Sequence, residues 1–218
     1  MIFSSDDINE MIILLEESYP DELCALKFRT DYELLFSARL SAQCTDERVN
    51  KITPALFERF PTLKDFAEAQ VSDVENIIRS CGMYKTKARD IVAAAQMLLI
   101  DFGGRVPDSM EELLKLPGVG RKTANLMLGV IYKKPSVVVD THCIRLTNRI
   151  GFVKTKDPVK IETALRKILP PEKSTDFCHR LVLHGRAICN AYRPNCAMCH
   201  ISKFCSHFKN EGGLKNAI

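Results

Sequence analysis

No stretch of this 218-residue chain is apolar for long enough to cross a bilayer. The longest candidate, Ile91 to Ile100, is interrupted by Gln96. The opening residues, Met1-Ile2-Phe3-Ser4-Ser5-Asp6-Asp7, lack the basic region and apolar core of a secretory signal. Low-complexity sequence is missing too, and β-like patterning is confined to Ser136–Val139. The expectation is an intracellular protein with no membrane partner. Hydrophobic residues at 46% and charged residues at 27% fit a globular chain able to form one large or two small domains with a buried core.

Acidic residues are missing from two long stretches. Leu113 to Val139 has none but carries Lys115, Arg121, Lys122, Lys133 and Lys134. Phe177 to Asn210 again has none, against Arg180, Arg186, Arg193, Lys203 and Lys209. Two positive surfaces on a chain of net charge +4 suit a polyanion that spans both, although solvated basic faces would look the same.

Apolar residues recur three or four apart along most of the chain, which predicts an all-α fold. A first helix capped by Ser5 or Asp6 buries Ile8, Met11, Ile12 and Leu15 and stops before Pro20. Further helices are expected over Tyr32–Ala42, Asp46–Phe60, Val71–Ser80, Lys85–Phe102, Ser109–Lys115 and Arg121–Tyr132, with Asp46 and Ser72 as caps. Thr141–Ile150, Pro158–Ile168 and Thr175–Asn190 follow, and the tail from Asn210 reads as frayed.

Between two of these helices lies Leu116-Pro117-Gly118-Val119-Gly120, the turn of a helix-hairpin-helix unit. Its glycines allow a tight turn with bare N–H groups, and the next helix presents unpaired amides at its start. Such a pair binds a phosphate without reading bases, although a plain interhelical turn needs no ligand. Lys122 sits in the first turn of that second helix, beside Arg121. A cation there opposes the helix dipole, which favours the neutral amine needed for Schiff-base chemistry. Taken alone, the same lysine reads as an ordinary surface or phosphate-binding residue. Eighteen residues on, Val137-Val138-Val139 delivers Asp140 to the start of another helix, where its simplest role is N-cap.

Of the nine cysteines, Cys189, Cys196, Cys199 and Cys205 fall within seventeen residues as C-x6-C-x2-C-x5-C. Cys24, Cys44, Cys81, Cys143 and Cys178 are scattered, as buried packing residues are. Clustered thiols in an intracellular chain point to metal ligation rather than disulfides. Zinc usually takes two close pairs of ligands, and only Cys196 and Cys199 make one; an iron–sulfur cluster accepts uneven spacings. Arg186 and Lys203 are candidates to offset the charge of a tetrathiolate cluster.

Leu116-Pro-Gly-Val-Gly-Arg-Lys-Thr-Ala-Asn125 followed by Val139-Asp140-Thr141-His142 resembles the catalytic signature of the endonuclease III family. The resemblance runs from about Tyr32 to Cys205 and implies double-stranded DNA with damaged pyrimidines or abasic sites as substrate, with Lys122 attacking C1′ and Asp140 assisting. The cysteine spacing also resembles that of the family's [4Fe–4S] site. The segment Ser41-Ala42-Gln43-Cys44-Thr45-Asp46 is similar to one whose glutamine fills the gap left by an extruded nucleotide, which marks Gln43. Gly82-Met83-Tyr84 resembles a loop carrying an apolar wedge; Met83 stands where relatives often have leucine, and Cys44 replaces a commoner small residue. Arg193, between Cys189 and Cys196, lies on a loop that contacts the DNA backbone in relatives, although it could equally serve the cluster alone.

The implied architecture is two helical lobes. A six-helix domain spans 23–133 with the hairpin unit at 110–132, a cluster domain combines 1–22 with 134–207, and 208–218 forms a disordered tail. The implied protein is a cytoplasmic, nucleoid-associated monomer. Two other functions stay open: an adenine-removing relative, against which Lys122 and the short tail argue, and a non-catalytic DNA-binding scaffold.

Overall fold

The computed structural model describes residues 3–20 and 24–210. Backbone packing divides the chain into two units: Met1–Leu23 with Lys134–Ile218, and Cys24–Lys133. Among the described residues every regular element is helical.

The first unit opens with α1 (Ser5–Ser18). Its cap is Ser4, one residue before the expected Ser5 or Asp6. Ser4 accepts from the Asp7 amide while the Asp7 carboxylate reaches back to the Ser4 amide, so two orphan donors are satisfied at once. Ile8, Met11, Ile12 and Leu15 are buried as their spacing requires.

The second unit holds α2 (Asp31–Leu40), α3 (Asp46–Arg59), α4 (Leu63–Glu68), α5 (Val71–Ile78), α6 (Tyr84–Asp101), α7 (Met110–Leu113) and α8 (Arg121–Val130). The short α4 joins the six helices that the apolar spacing predicts. A Thr62–Asp65 capping box starts it, and it carries Phe66 into a cluster of rings with centroids 4.9 Å from Phe36 and 5.2 Å from Phe60. Two expected caps are corrected. Thr45 rather than Asp46 caps α3, because its hydroxyl reaches the Arg48 amide, and α5 begins after Gln70 with no side-chain cap at all.

Back in the first unit, Ser136–Val139 is extended and buried but pairs with no strand among the described residues. Its Ser136 carbonyl accepts from the Ser174 hydroxyl at 3.0 Å, which ties the run to the start of a later helix. Then come α9 (Thr141–Ile150), α10 (Pro158–Ile168), α11 (Ser174–Ala187) and α12 (Ser206–Asn210). Residues 208–210, expected in the disordered tail, are the end of α12; residues 211–218 of that tail lie outside the described residues, as do 21–23 at the expected domain boundary.

The second basic stretch is less free than its composition implies. Arg180 is buried and lies 3.6 Å from Glu16, and Lys203 pairs with Glu10. Both acids come from α1, some 160 residues or more earlier in the chain.

The core of the second unit carries its own pH signature. Cys81 is 1% exposed, and burial with a hydrogen bond to Cys44 pushes its thiol from 9.0 to about 11. Above pH 9 the unfolded chain sheds this proton while the folded chain keeps it, so stability is full below pH 9 and falls as pH rises towards 11. Tyr132, pushed to about 12 mainly by burial, acts in the same direction above pH 10. The loss from Cys81 is expected to be on the order of 2–3 kcal/mol. Denaturant titrations at pH 8, 9, 10 and 11 should show it, and Cys81→Ala should flatten the profile between pH 9 and pH 10, before Tyr132 contributes.

Candidate functional site

Three turns of the second unit carry residues marked in the sequence. The hairpin turn is anchored by Leu116, which is 2% exposed, and closed by the Val119 amide donating to the Leu116 carbonyl at 3.1 Å. Gly118 has φ +74°, where side chains are strained. An added Cβ there would also sit 2.5 Å from Arg39 Nε. Gly118→Ala is therefore expected to lower the melting temperature by several degrees, for a cost of about 1–3 kcal/mol.

Gly120 caps α8 without any side-chain hydrogen bond, and a Cβ on it would meet nothing within 4 Å. The open start of this helix therefore presents backbone N–H groups outward beside exposed Arg121 and Lys122. Val119 is half-buried behind them.

Gln43 and Met83 are two of the three non-glycine residues with positive φ among the described residues, at +53° and +58°. Neither is β-branched, and each left-handed conformation costs on the order of 1 kcal/mol. Met83 is 53% exposed, so it is not a core residue; Gln43 is exposed and its side chain makes no hydrogen bond among the described residues. The two turns touch: the Gln43 carbonyl lies 3.5 Å from where a Gly82 Cβ would be, and the sulfurs of Cys44 and Cys81 are 3.7 Å apart. Beneath them Lys87, fully buried, donates to the Leu40 carbonyl at 2.8 Å, completing the C-terminal end of α2 with a cation. Burial pulls this lysine below its ordinary range.

Asp140 belongs to the first unit. Its Oδ1 accepts from the Cys143 amide at 2.8 Å, so it is the N-cap of α9 as its position predicts. The cap holds the half-buried carboxylate rigid, and Oδ2 has no protein partner among the described residues.

At the other end of α9, Cys189, Cys196, Cys199 and Cys205 ring a single cavity closed by Ile188, Pro194 and Phe208. Two short 3₁₀ turns, Cys196–Met198 and Ser202–Phe204, wrap the chain around it. No three His, Cys, Asp or Glu side chains among the described residues gather closely enough for one metal ion. Four thiols around one space are nonetheless a donor set that fits an iron–sulfur cluster.

The cation that meets these sulfurs was not marked in the sequence. Arg149, on the last turn of α9, donates to Cys189 Sγ at 3.2 Å and to the carbonyls of Asn190 and Ala191 at 2.8 Å each. Its own carbonyl lies 3.3 Å from Cys205 Sγ. Lys203, expected in that role, is taken by Glu10. The basic character of Arg149 and its place nine residues after Asp140 were legible; its reach across to Cys189 was not.

His184 adds a buried relay, with Nδ1 3.0 Å from the Tyr19 hydroxyl and Nε2 3.3 Å from Cys199 Sγ. Burial and nearby His200 lower it to about 4, so it stays neutral and can serve both neighbours. Burial also pushes the Cys199 thiol up to about 12, with the other three sulfurs adding to the effect. Arg193 is exposed on the loop between Cys189 and Cys196, and among the described residues only its backbone is engaged, donating to Asn190 Oδ1 at 3.1 Å.

Residues 36–171 match the family model described as HhH-GPD superfamily base excision DNA repair protein. The chain is 43% identical over 197 residues to a Synechocystis protein named endonuclease III, covering 90% of each chain. It is 43% identical over 181 residues to a Thermotoga maritima protein of the same name, covering 83% of this chain and 85% of that one. Its fold matches a solved structure titled as a trapped endonuclease III–DNA covalent intermediate, with a TM-score of 0.89 and 38% identity over 96% of this chain and 99% of that chain.

Proposed function

The chain belongs to the HhH-GPD superfamily of base excision DNA repair proteins, and from that premise we propose that Lys122 is the nucleophile of a combined glycosylase and lyase reaction. The protein is a DNA-binding base excision repair enzyme, a DNA glycosylase and AP lyase. Oxidised pyrimidines are the proposed substrate class.

The observation that carries the assignment is the placement of Lys122. It is exposed in the first turn of α8, directly after the hairpin turn, at a helix start that no side chain caps. A phosphate bound by those amides would bring the adjoining sugar to the amine, turning an encounter between two molecules into a positioned reaction. Lys122 Nζ attacks C1′, the bond from C1′ to the base breaks, and the base leaves with the bonding electrons. One amine proton passes to the departing base and the other to O4′ as the sugar ring opens to a Schiff base. Loss of a C2′ proton then expels the 3′ phosphate. Asp140 is proposed to stabilise the positive charge that develops on the sugar, through the oxygen its cap bond leaves open.

Gln43 and Met83 are proposed to enter the space of the extruded nucleotide, with their left-handed backbones set before DNA arrives. Gly118, Gly120 and Arg121 are assigned to one phosphate, with buried Leu116 anchoring the turn and the Val119 amide closing it, and Arg193 is assigned to another. Cys189, Cys196, Cys199 and Cys205 would hold a [4Fe–4S] cluster, whose contribution when bound is to staple a segment with little apolar core of its own.

The test is incubation with duplex DNA bearing a single thymine glycol, quenched with borohydride. A covalent adduct and strand cleavage are the expected outcome. An abasic-site duplex that yields no adduct at all would overturn the lysine mechanism.

A further inference from the structure

We propose that Arg39 and Asp90 are positioning residues for DNA binding: their ion pair is the seat on which the hairpin turn rests. The proposal relies on the phosphate-binding role given to that turn above. Arg39 lies on the last turn of α2 and Asp90 two turns into α6. Arg39 Nε donates to Asp90 Oδ2 at 2.7 Å, and Nη2 approaches the same oxygen at 2.6 Å. The side chains are only 15% and 22% exposed, unlike the solvated pairs that contribute little.

What covers them is the hairpin backbone. A Cβ on Gly118 would lie 2.5 Å from Arg39 Nε, 2.7 Å from Arg39 Cδ and 2.8 Å from Asp90 Oδ2. Only a residue without a side chain lets the turn lie this flat, and the planar guanidinium gives it a flat surface to lie on. The pair also joins the three turns of the site. Arg39 is four residues before Gln43, Asp90 is seven after Met83, and both touch the turn that precedes Lys122. Fixing this pair fixes the hairpin amides against the two turns assigned to the extruded nucleotide.

Charge alone makes the opposite forecast. Asp90→Asn removes a negative charge from a protein that binds a polyanion, and by long-range electrostatics it should tighten binding. If the pair is a seat, the same change weakens binding. Arg39→Lys is the second arm: it keeps the charge and loses the flat fork.

The measurement is the Kd for duplex carrying a stable abasic-site analogue, at one salt concentration, alongside the single-turnover trapping rate at saturating abasic DNA and the melting temperature. Both variants are expected to raise Kd by about tenfold, with the loss appearing in Kd far more than in the saturated rate. Unchanged or tighter binding by Asp90→Asn, with the native melting temperature, overturns the proposal. If Asp90→Asn does not fold, Arg39→Lys decides alone: native affinity in that variant also overturns it. A wild-type protein that fails to bind or be trapped would instead sink the functional assignment, so the two failures are distinguishable.

Discussion

Lys122→Ala will yield a protein that binds abasic duplex DNA and cannot be trapped on it by borohydride. Removing the amine removes the atom that forms the covalent bond, so strand cleavage should fall by at least about a thousandfold, some 4 kcal/mol of barrier. Binding should hardly change. The hairpin amides are backbone groups and survive the substitution, and one lysine among several phosphate contacts accounts for a small part of the affinity and about one unit of its salt dependence. Folding should survive as well, because the side chain is exposed at the open end of α8 and alanine is a good helix former. Gel analysis of trapped product together with a binding titration separates these outcomes. A variant that still forms the adduct would move the nucleophile elsewhere.

Cys199→Ser is expected to have the largest effect on stability. Residues 189 to 205 form a loop whose regular structure is two three-residue 3₁₀ turns, so on the proposed assignment the cluster supplies the order that packing does not. With one thiolate replaced, the visible absorbance of an iron–sulfur cluster should be lost or greatly reduced, and stability should drop by several kcal/mol. The loss should spread to Tyr19 and His184, because the His184 ring bridges the Cys199 sulfur and the Tyr19 hydroxyl. Thermal melting followed by both absorbance and helicity would test this. A Cys199→Ser protein with unchanged colour and melting temperature would refute the assignment of Cys199 as a ligand.

Much of the fold was legible because helix signals are local. The i, i+3 and i+4 spacing of Ile8, Met11, Ile12 and Leu15 needs no distant partner to be read, and all four are buried. Caps were harder. Ser4 and Thr45 each lie one residue before the expected cap, and only the geometry of the first turn decides which hydroxyl reaches the third amide. The short α4 escaped because six residues give too few turns for a period to emerge.

In the site, the glycine-rich turn and the clustered cysteines could be read from spacing alone. The groups that support them could not. Arg149 meets Cys189 from 40 positions away, Arg39 meets Asp90 from 51, and Lys87 meets Leu40 from 47. Each looks in the sequence like an ordinary charge on a helix. Only the folded chain shows which backbone or sulfur each one serves.

Helix α9 has one consequence beyond either of the groups at its ends. It is ten residues long, a rod of about 15 Å. Asp140 caps one end, and Arg149 grips Cys189 and its loop from the other. Slackening of the cysteine loop therefore removes one of the anchors of the rod that carries the carboxylate, alongside its buried residues Cys143, Leu146 and Ile150. On the roles assigned here, a copy of the protein with a damaged cysteine loop loses its aim as well as its fold.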